Sequence, residues 1–384
     1  MKLPDDRQLE HIATPAYYYD TVLLRATLQA VVEAAAVDPR YRVHYAIKAN
    51  PRSRLLEIIK GYRLGADCVS GNEVKAALAA EFTPKKIFFA GVGKTDDDIL
   101  TGLRAGIGCF NVESEQELIV IDRLARQENL IAEIALRVNP EIDAHTHRYI
   151  TTGLSENKFG ILLSQLDRIV DLALSLKSCR LIGLHFHIGS QIRELDCFKL
   201  LCDRINDLTA HFGSKGIHFS SINVGGGLGI NYDDPLGEPI PPFAEYFKVF
   251  HNNLRLSSDQ TLHFELGRSI VGQCGALISK VLYIKEGDTR RFAIIDAGMT
   301  DLIRPALYQA THSIVALGKH PGAPIRKYDI VGPVCESSDV FATGVPMPEL
   351  QRGDYVAILS AGAYGEAMAM RYNLRDLPGA FLSE

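Results

Sequence analysis

Arg42-Val43-His44-Tyr45-Ala46-Ile47-Lys48-Ala49-Asn50 is the stretch on which the reading of the fold turns. A mostly apolar, strand-like run ends in a lysine, and Asn50-Pro51 breaks the strand immediately afterwards. The amine is therefore expected at the C-terminal end of a strand, where barrel enzymes carry their chemistry. A lysine set among apolar neighbours releases its proton more readily and can condense with an aldehyde, which makes Lys48 a candidate Schiff-base residue. Taken alone, a strand-end lysine is usually only solvated. The sequence on either side decides between the two.

From this stretch outward a rhythm runs along the chain. Short apolar runs at 43–48, 64–69, 86–91, 107–112, 131–138, 181–187, 220–225 and 261–265 alternate with helix-like stretches at 72–81, 96–105, 114–127, 164–177, 195–212 and 242–254. An amphipathic helix over 21–36, capped at Asp20-Thr21, precedes them. Eight strands alternating with helices predict a closed parallel (β/α)8 TIM barrel over residues 22–265. Beyond about residue 266 the helical rhythm fades into β-like runs at 276–284, 291–296, 312–316, 326–331 and 354–359. Gly287-Asp288, Pro321-Gly322 and Arg352-Gly353 supply turns between them. Residues 15–20 are also strand-like and are expected to join this second sheet. Residues 1–21 and 266–384 thus form a mostly β domain, sandwich-like or barrel-like, that includes the N-terminal strand.

Composition narrows the function. The 384 residues carry a net charge of −5, a pI near 6.2 and interspersed charges, which give no basic field for nucleic acid and favour a small-molecule partner. No run approaches the roughly 18 apolar residues of a membrane span, and Met1-Lys2-Leu3-Pro4-Asp5-Asp6 lacks the order of a signal peptide. Cytoplasmic residence is expected. The seven cysteines have no CxxC or metal-like spacing, so neither a disulfide framework nor a metal site is predicted, and most should be buried thiols.

The proposed strands end in a consistent way: Lys48, Asp67, Gly91, Asn111, Arg137 with Asn139, His187 with Ser190, Gly225-Gly226-Gly227, and Glu265 with Arg268. Polar groups at nearly every strand end describe the rim of one site. Gly225-Gly226-Gly227 reads either as a tight turn or as a backbone cradle for an anion, and its place in a late barrel loop favours phosphate. Ser190 adds a hydroxyl. Glu265 suits the nitrogen of a pyridine ring, which a carboxylate keeps protonated, and a flat imidazole at His187 suits stacking on such a ring. Lys48, the cradle and Glu265 together predict a site for pyridoxal 5'-phosphate (PLP).

The chain resembles the fold-type III PLP-dependent decarboxylases, and within them the diaminopimelate decarboxylases. The resemblance rests on motifs in order: YAIKAN at 45–50, GADCVSGNE at 65–73, NVES at 111–114, RVNPEIDAHTH at 137–147, TGLSENKFGI at 152–161, GLHFHIGSQ at 183–191, NVGGGLG at 223–229, ELGR at 265–268, GPVCESSD at 332–339 and GAYG at 362–365. It implies a homodimer with shared active sites that releases CO2 from the D-configured centre of meso-diaminopimelate to give L-lysine. It also implies roles: Lys48 as the Schiff-base lysine, His187 on the ring face, Glu265 at the ring nitrogen, and Asp67, Ser190, Gly225–Gly227, Gly267, Arg268 and Tyr364 around the cofactor. Arg268, Arg304, Tyr308, Glu336 and Tyr364 resemble the substrate-binding set. Cys335, by itself an inert thiol, resembles the family's proton donor, reaching the partner subunit's site with Glu336. Arginine suits carboxylates and Glu336 an amine, as the distal end of diaminopimelate requires. The family often has proline at the position of Leu266 and after His147, where Arg148 stands. Alternatives are a decarboxylase of ornithine, arginine or a carboxylated polyamine, and a non-catalytic PLP-binding homologue.

Overall fold

The structure is a computed structural model, and it describes residues 1–142, 158–318 and 322–383. His147, Arg148, the motif segments 143–147 and 152–157, and Pro321 of one expected turn lie outside the described residues. The chain divides into two compact units, one of Leu28–Gly229 with Pro242–Gly267, the other of Met1–Thr27, Ile230–Pro241 and Arg268–Glu384.

In chain order the strands begin with β1 (Ala16–Tyr19), followed by β2 (Tyr41–Ala46), β3 (Gly65–Cys68), β4 (Ile87–Phe89), β5 (Cys109–Val112), β6 (Ala132–Arg137), β7 (Cys179–His185), β8 (Ser221–Asn223) and β9 (Thr261–Leu266). β2 to β9 pair in sequence as parallel neighbours, and β9 returns to β2, closing an eight-stranded barrel. The strands read as near-continuous apolar runs because a parallel sheet is covered on both faces. The covering helices follow the same logic. Helix Phe243–Asn253 sets Tyr246, Phe247 and Phe250 against Phe264 of β9, with ring centroids 5.9, 4.8 and 5.1 Å away.

The turns at the barrel mouth are fixed by capping. Ser70 and Ser114 accept from the backbone N–H of Glu73 and Glu117, at 3.2 Å each, opening helices Gly71–Ala79 and Glu115–Gln127. The same glutamates accept from the N–H of Val69 (2.7 Å) and Glu113 (2.8 Å), so each strand end is tied to the helix that follows.

Two local expectations are corrected. β2 ends at Ala46, and Lys48 lies in a single 3-10 turn, Ile47–Ala49, closed by the Asn50 N–H on the Ile47 carbonyl (3.0 Å). Helix Ser53–Gly61, which buries Leu55, Leu56, Ile58 and Ile59, is absent from the expected elements because Asn50-Pro51 reads only as a break.

The second unit carries β1 together with β10 (Gly275–Glu286), β11 (Arg291–Ile295), β12 (Ile314–Leu317), β13 (Ile325–Val331), β14 (Val340–Pro348), β15 (Tyr355–Ile358) and β16 (Gly379–Leu382). The order is β12-β15-β10-β11-β13-β14, while β1 pairs antiparallel with β10 and parallel with β16. The N-terminal strand joins this sheet, as expected. Its core includes Leu9, Ile12, Tyr18, Ile278, Leu317 and Leu359. Among the described residues no helix is long and apolar enough to cross a membrane.

Candidate active site

Glu265, the penultimate residue of β9, anchors the C-terminal end of the barrel. Its Oε1 accepts from Asn111 Nδ2 on β5 (3.1 Å) and from Asn223 Nδ2 on β8 (2.7 Å), while Oε2 lies 3.1 Å from Nε2 of His185 on β7. Burial alone would raise its pKa, yet the contact with His185 and the charge of Lys48 hold this carboxyl below its ordinary value. A buried acid that is ionised at neutral pH results.

Asp67, on β3, behaves oppositely. Burial and the charge of Glu265 push its carboxyl well above the ordinary value, although Lys48 opposes them. Neither oxygen has a hydrogen-bond partner among the described residues, and the Lys48 ammonium lies 3.7 Å from Oδ2. Lys48 itself keeps 41% of its side chain exposed. It stands beside an acid rather than in the apolar setting that its strand suggests.

The glycine turn is tight. Gly225 and Gly227 have φ of +68° and +113°, and a Cβ on Gly226 would fall 2.0 Å from the Glu265 carbonyl oxygen. Gly225 N–H donates to Asn223 Oδ1 (2.9 Å) and Gly226 N–H to His187 Nδ1 (3.2 Å). Two of the three amides are therefore engaged within the protein, which leaves Gly227 N–H as the cradle's own donor beside half-buried Ser190. Burial, with the positive charges of Arg137 and Lys48, lowers the pKa of His187 well below its ordinary value, so the ring is neutral. Gly267 is held close to the turn after β2: a Cβ there would lie 3.0 Å from Ala49 Cβ.

An exposed amine, a buried anion and a turn that excludes side chains fit a cofactor with an aldehyde, a ring nitrogen and a phosphate. They fit PLP. Among the described residues no cluster of His, Cys, Asp and Glu is arranged to hold a metal ion.

The second unit has its own polar centre. Arg268 Nη1 donates to the Tyr232 hydroxyl (2.7 Å), and its guanidinium lies 4.8 Å from the Tyr364 ring centroid. Arg304, in the short helix Arg304–Tyr308, lies 5.0 Å from the Tyr232 ring centroid and donates to His312 Nε2 (2.9 Å). His312 Nδ1 in turn donates to the Leu359 carbonyl (2.8 Å), which fixes a neutral tautomer, and burial with the Arg304 charge lowers its pKa to about 3. Arg304 is buried, yet among the described residues it pairs with no carboxylate. Tyr308 ends that helix half-buried, and Tyr364 sits at φ +57°, a strained value for a non-glycine residue. Cys335 is exposed, unlike the buried thiol that its sequence alone suggests, and Glu336 Oε1 accepts from the Tyr372 hydroxyl (2.6 Å).

The family model for the pyridoxal binding domain of pyridoxal-dependent decarboxylases matches residues 24–272. The chain is 54% identical to the diaminopimelate decarboxylase of Bacteroides thetaiotaomicron, over 97% of this chain and 96% of the relative. It is 42% identical to that of Pseudomonas aeruginosa, over 96% and 87%. The chain belongs to the diaminopimelate decarboxylase family. The crystal structure of diaminopimelate decarboxylase from Helicobacter pylori complexed with L-lysine superposes with a TM-score of 0.93 at 37% identity, covering 99% of this chain and 94% of that one. A lysine/ornithine decarboxylase from Vibrio vulnificus, 20% identical with a TM-score of 0.84, shares the fold.

For a member of the diaminopimelate decarboxylase family, the residues that the sequence reading missed are those that hold others in place: His185, Asn223, Tyr232 and His312. Only His185 left a signal. It precedes His187 by two residues, and the alternation of a strand puts such residues on one face. Asn223 and Tyr232 are set by pairings across the fold that no local pattern announces.

Proposed function

We propose that this chain releases CO2 from the D-configured centre of meso-2,6-diaminopimelate, leaving L-lysine, as the last step of lysine biosynthesis. The observation that carries this reading is the buried Glu265 carboxylate, clamped by three side chains in a chain so similar to known diaminopimelate decarboxylases. When bound, PLP supplies an electron sink for the pair released as the carboxylate leaves. Lys48 is the amine that holds it, with the buried Asp67 carboxyl beside it. Gly227 N–H and Ser190 hold the phosphate, and Gly225, Gly226 and Gly267 keep side chains out of the turns around them. Glu265 holds a proton on the ring nitrogen and His187 covers the ring face.

Substrate recognition falls to the second unit's residues. Arg268 and Arg304 bind carboxylate, Glu336 receives the distal amine, and Tyr308 and Tyr364 complete the pocket. A buried arginine without a carboxylate partner among the described residues is costly unless a ligand supplies one, which supports Arg304 as the carboxylate site. Arg304→Met is expected to raise KM for meso-diaminopimelate about 10- to 100-fold, the value of one charged bidentate contact, with a smaller change in kcat. Steady-state kinetics check this; an unchanged KM assigns the carboxylate elsewhere.

Cys335 supplies the proton that replaces CO2 on carbon. The active form is a homodimer in which Cys335 and Glu336 of one copy serve the other copy's site, and the exposure of Cys335 supports this. Cys335→Ala should lower kcat by about 10²-fold or more while PLP binding persists. Mixing inactive Lys48→Ala and Cys335→Ala proteins should then restore activity through hybrid dimers. No recovery despite demonstrated subunit exchange argues for a self-contained site. The free thiols fit a reducing cytoplasm.

The function itself is tested by incubating the PLP-loaded protein with meso-diaminopimelate, LL-diaminopimelate, ornithine and arginine and measuring CO2 and lysine. Release from the meso isomer alone is expected. Release only from ornithine or arginine overturns the assignment of Arg304 and Glu336.

A further inference from the structure

The barrel has a second concavity, at the end opposite Lys48. A cavity of about 370 Å³ opens where the strands begin, lined by the first residues of β2 and β9, by Gly65 at the start of β3 and by Lys85 and Lys86 ahead of β4. That volume lies within the range of small-molecule sites. Ala35, Ala36, Tyr62 and Phe88 give it apolar walls.

Its charge is one-sided. Arg42, Arg63, Lys85 and Lys86 line it, and among the described residues none of the four forms an ion pair with a carboxylate. Arg42 Nη1 donates to the Pro39 and Tyr41 carbonyls (2.7 and 2.8 Å), and Lys86 Nζ to the Arg63 carbonyl (3.1 Å), so two of the cations are steered by backbone contacts. Asp38, the one acid in the lining, is already neutralised by Arg40 at 2.6 Å.

No residue lining the floor is charged, although the buried Glu265 carboxylate acts on both of its histidines from behind. His44 Nδ1 meets the Lys86 carbonyl (3.1 Å), His44 Nε2 meets His263 Nδ1 (2.8 Å), and His263 Nε2 meets Thr261 Oγ1 (2.9 Å). With both rings neutral the protons run one way along this chain: Thr261 donates to His263, His263 to His44, and His44 to the carbonyl. Burial supports neutrality, lowering the pKa of His44 to about 4. The histidines are satisfied among themselves, and a ligand's charge must be met by the rim.

We propose that this cavity binds a small organic anion, an apolar body carrying a carboxylate, sulfonate or phosphate group, at a site separate from decarboxylation. Like charges around a low-dielectric concavity focus a positive field, which an anion with an apolar body relieves while filling the well.

The test uses the PLP-loaded protein and two fluorescent probes with nearly the same body, anionic 8-anilinonaphthalene-1-sulfonate and neutral N-phenyl-1-naphthylamine. The sulfonate is expected to bind saturably. Reversing two rim charges, Arg63→Glu with Lys85→Glu, should weaken it tenfold or more and shift the neutral probe less than twofold. Ala36→Trp, which fills the well without changing charge, should weaken both. Decarboxylation and melting temperature, unchanged in the charge-reversal variant, establish that it is folded. No saturable sulfonate binding, or binding that charge reversal leaves unchanged, overturns the proposal and makes the rim a set of solvated cations.

Discussion

Lys48→Ala is expected to abolish the visible absorbance of the PLP-loaded protein and to lower turnover by about four orders of magnitude or more, as removal of a covalent amine does. The fold should survive. Lys48 is 41% exposed and its amine makes a 3.7 Å contact with Asp67, so truncation removes little packing. Asp67 loses its nearest cation, but burial and Glu265 already push its carboxyl well above the ordinary value, and a neutral acid can occupy the same space. A melting temperature within a few degrees of the wild type, measured without PLP, therefore accompanies the loss of activity. Added methylamine should restore part of the turnover by replacing the missing amine. An unchanged spectrum in the mutant means that a different lysine holds the cofactor.

Why the barrel could be read and the clamp could not is a matter of distance along the chain. Buried parallel strands are apolar on both faces, so the run at 107–112 announces β5 (Cys109–Val112) without knowledge of its neighbours. The β domain is less legible for a local reason. Gly344, Pro346 and Pro348 lie inside β14, and such residues read as loop; the prolines are tolerated because β14 is the last strand in the order and pairs on one side only, with β13, and Gly344 falls where that pairing shifts register. Strand-end positions also point to Glu265 and His187 correctly as polar groups at the barrel rim. What they cannot supply is the partner of each. Asn111 reaches Glu265 across 154 positions, a contact that only barrel closure creates. The setting of Lys48 escapes the sequence because solvent exposure is a property of the assembled rim rather than of the apolar run before it.

Glu265→Gln should lower turnover by about 10²- to 10³-fold while leaving PLP bound, because a neutral amide cannot keep a ring nitrogen protonated. The clamp predicts a stability effect that activity alone does not reveal. In the wild type Oε1 receives two asparagine donors and Oε2 receives His185 Nε2. If the variant's amide turns its oxygen to the asparagines, its NH2 faces His185 Nε2, which must then accept and move its proton to Nδ1. That nitrogen is buried without a hydrogen-bond partner among the described residues, so the exchange costs about 1–3 kcal/mol. The pH dependence carries the sign. Glu265 has a folded pKa below its ordinary 4.5, so its ionised form stabilises the fold above pH 4.5 and that contribution fades as pH falls toward the lower folded value. Urea unfolding of apo wild type and variant should show a stability gap at pH 7 that narrows below pH 4.5. A gap that is constant with pH would mean that Glu265 is not held ionised, and wild-type turnover in the variant would remove the ring-nitrogen role from this residue. Replacing His185 by Phe separates the two effects: with Asn111 and Asn223 still holding Oε1, turnover should fall less than in Glu265→Gln, and the pKa of Glu265, followed by carbon NMR of the apo protein, should rise.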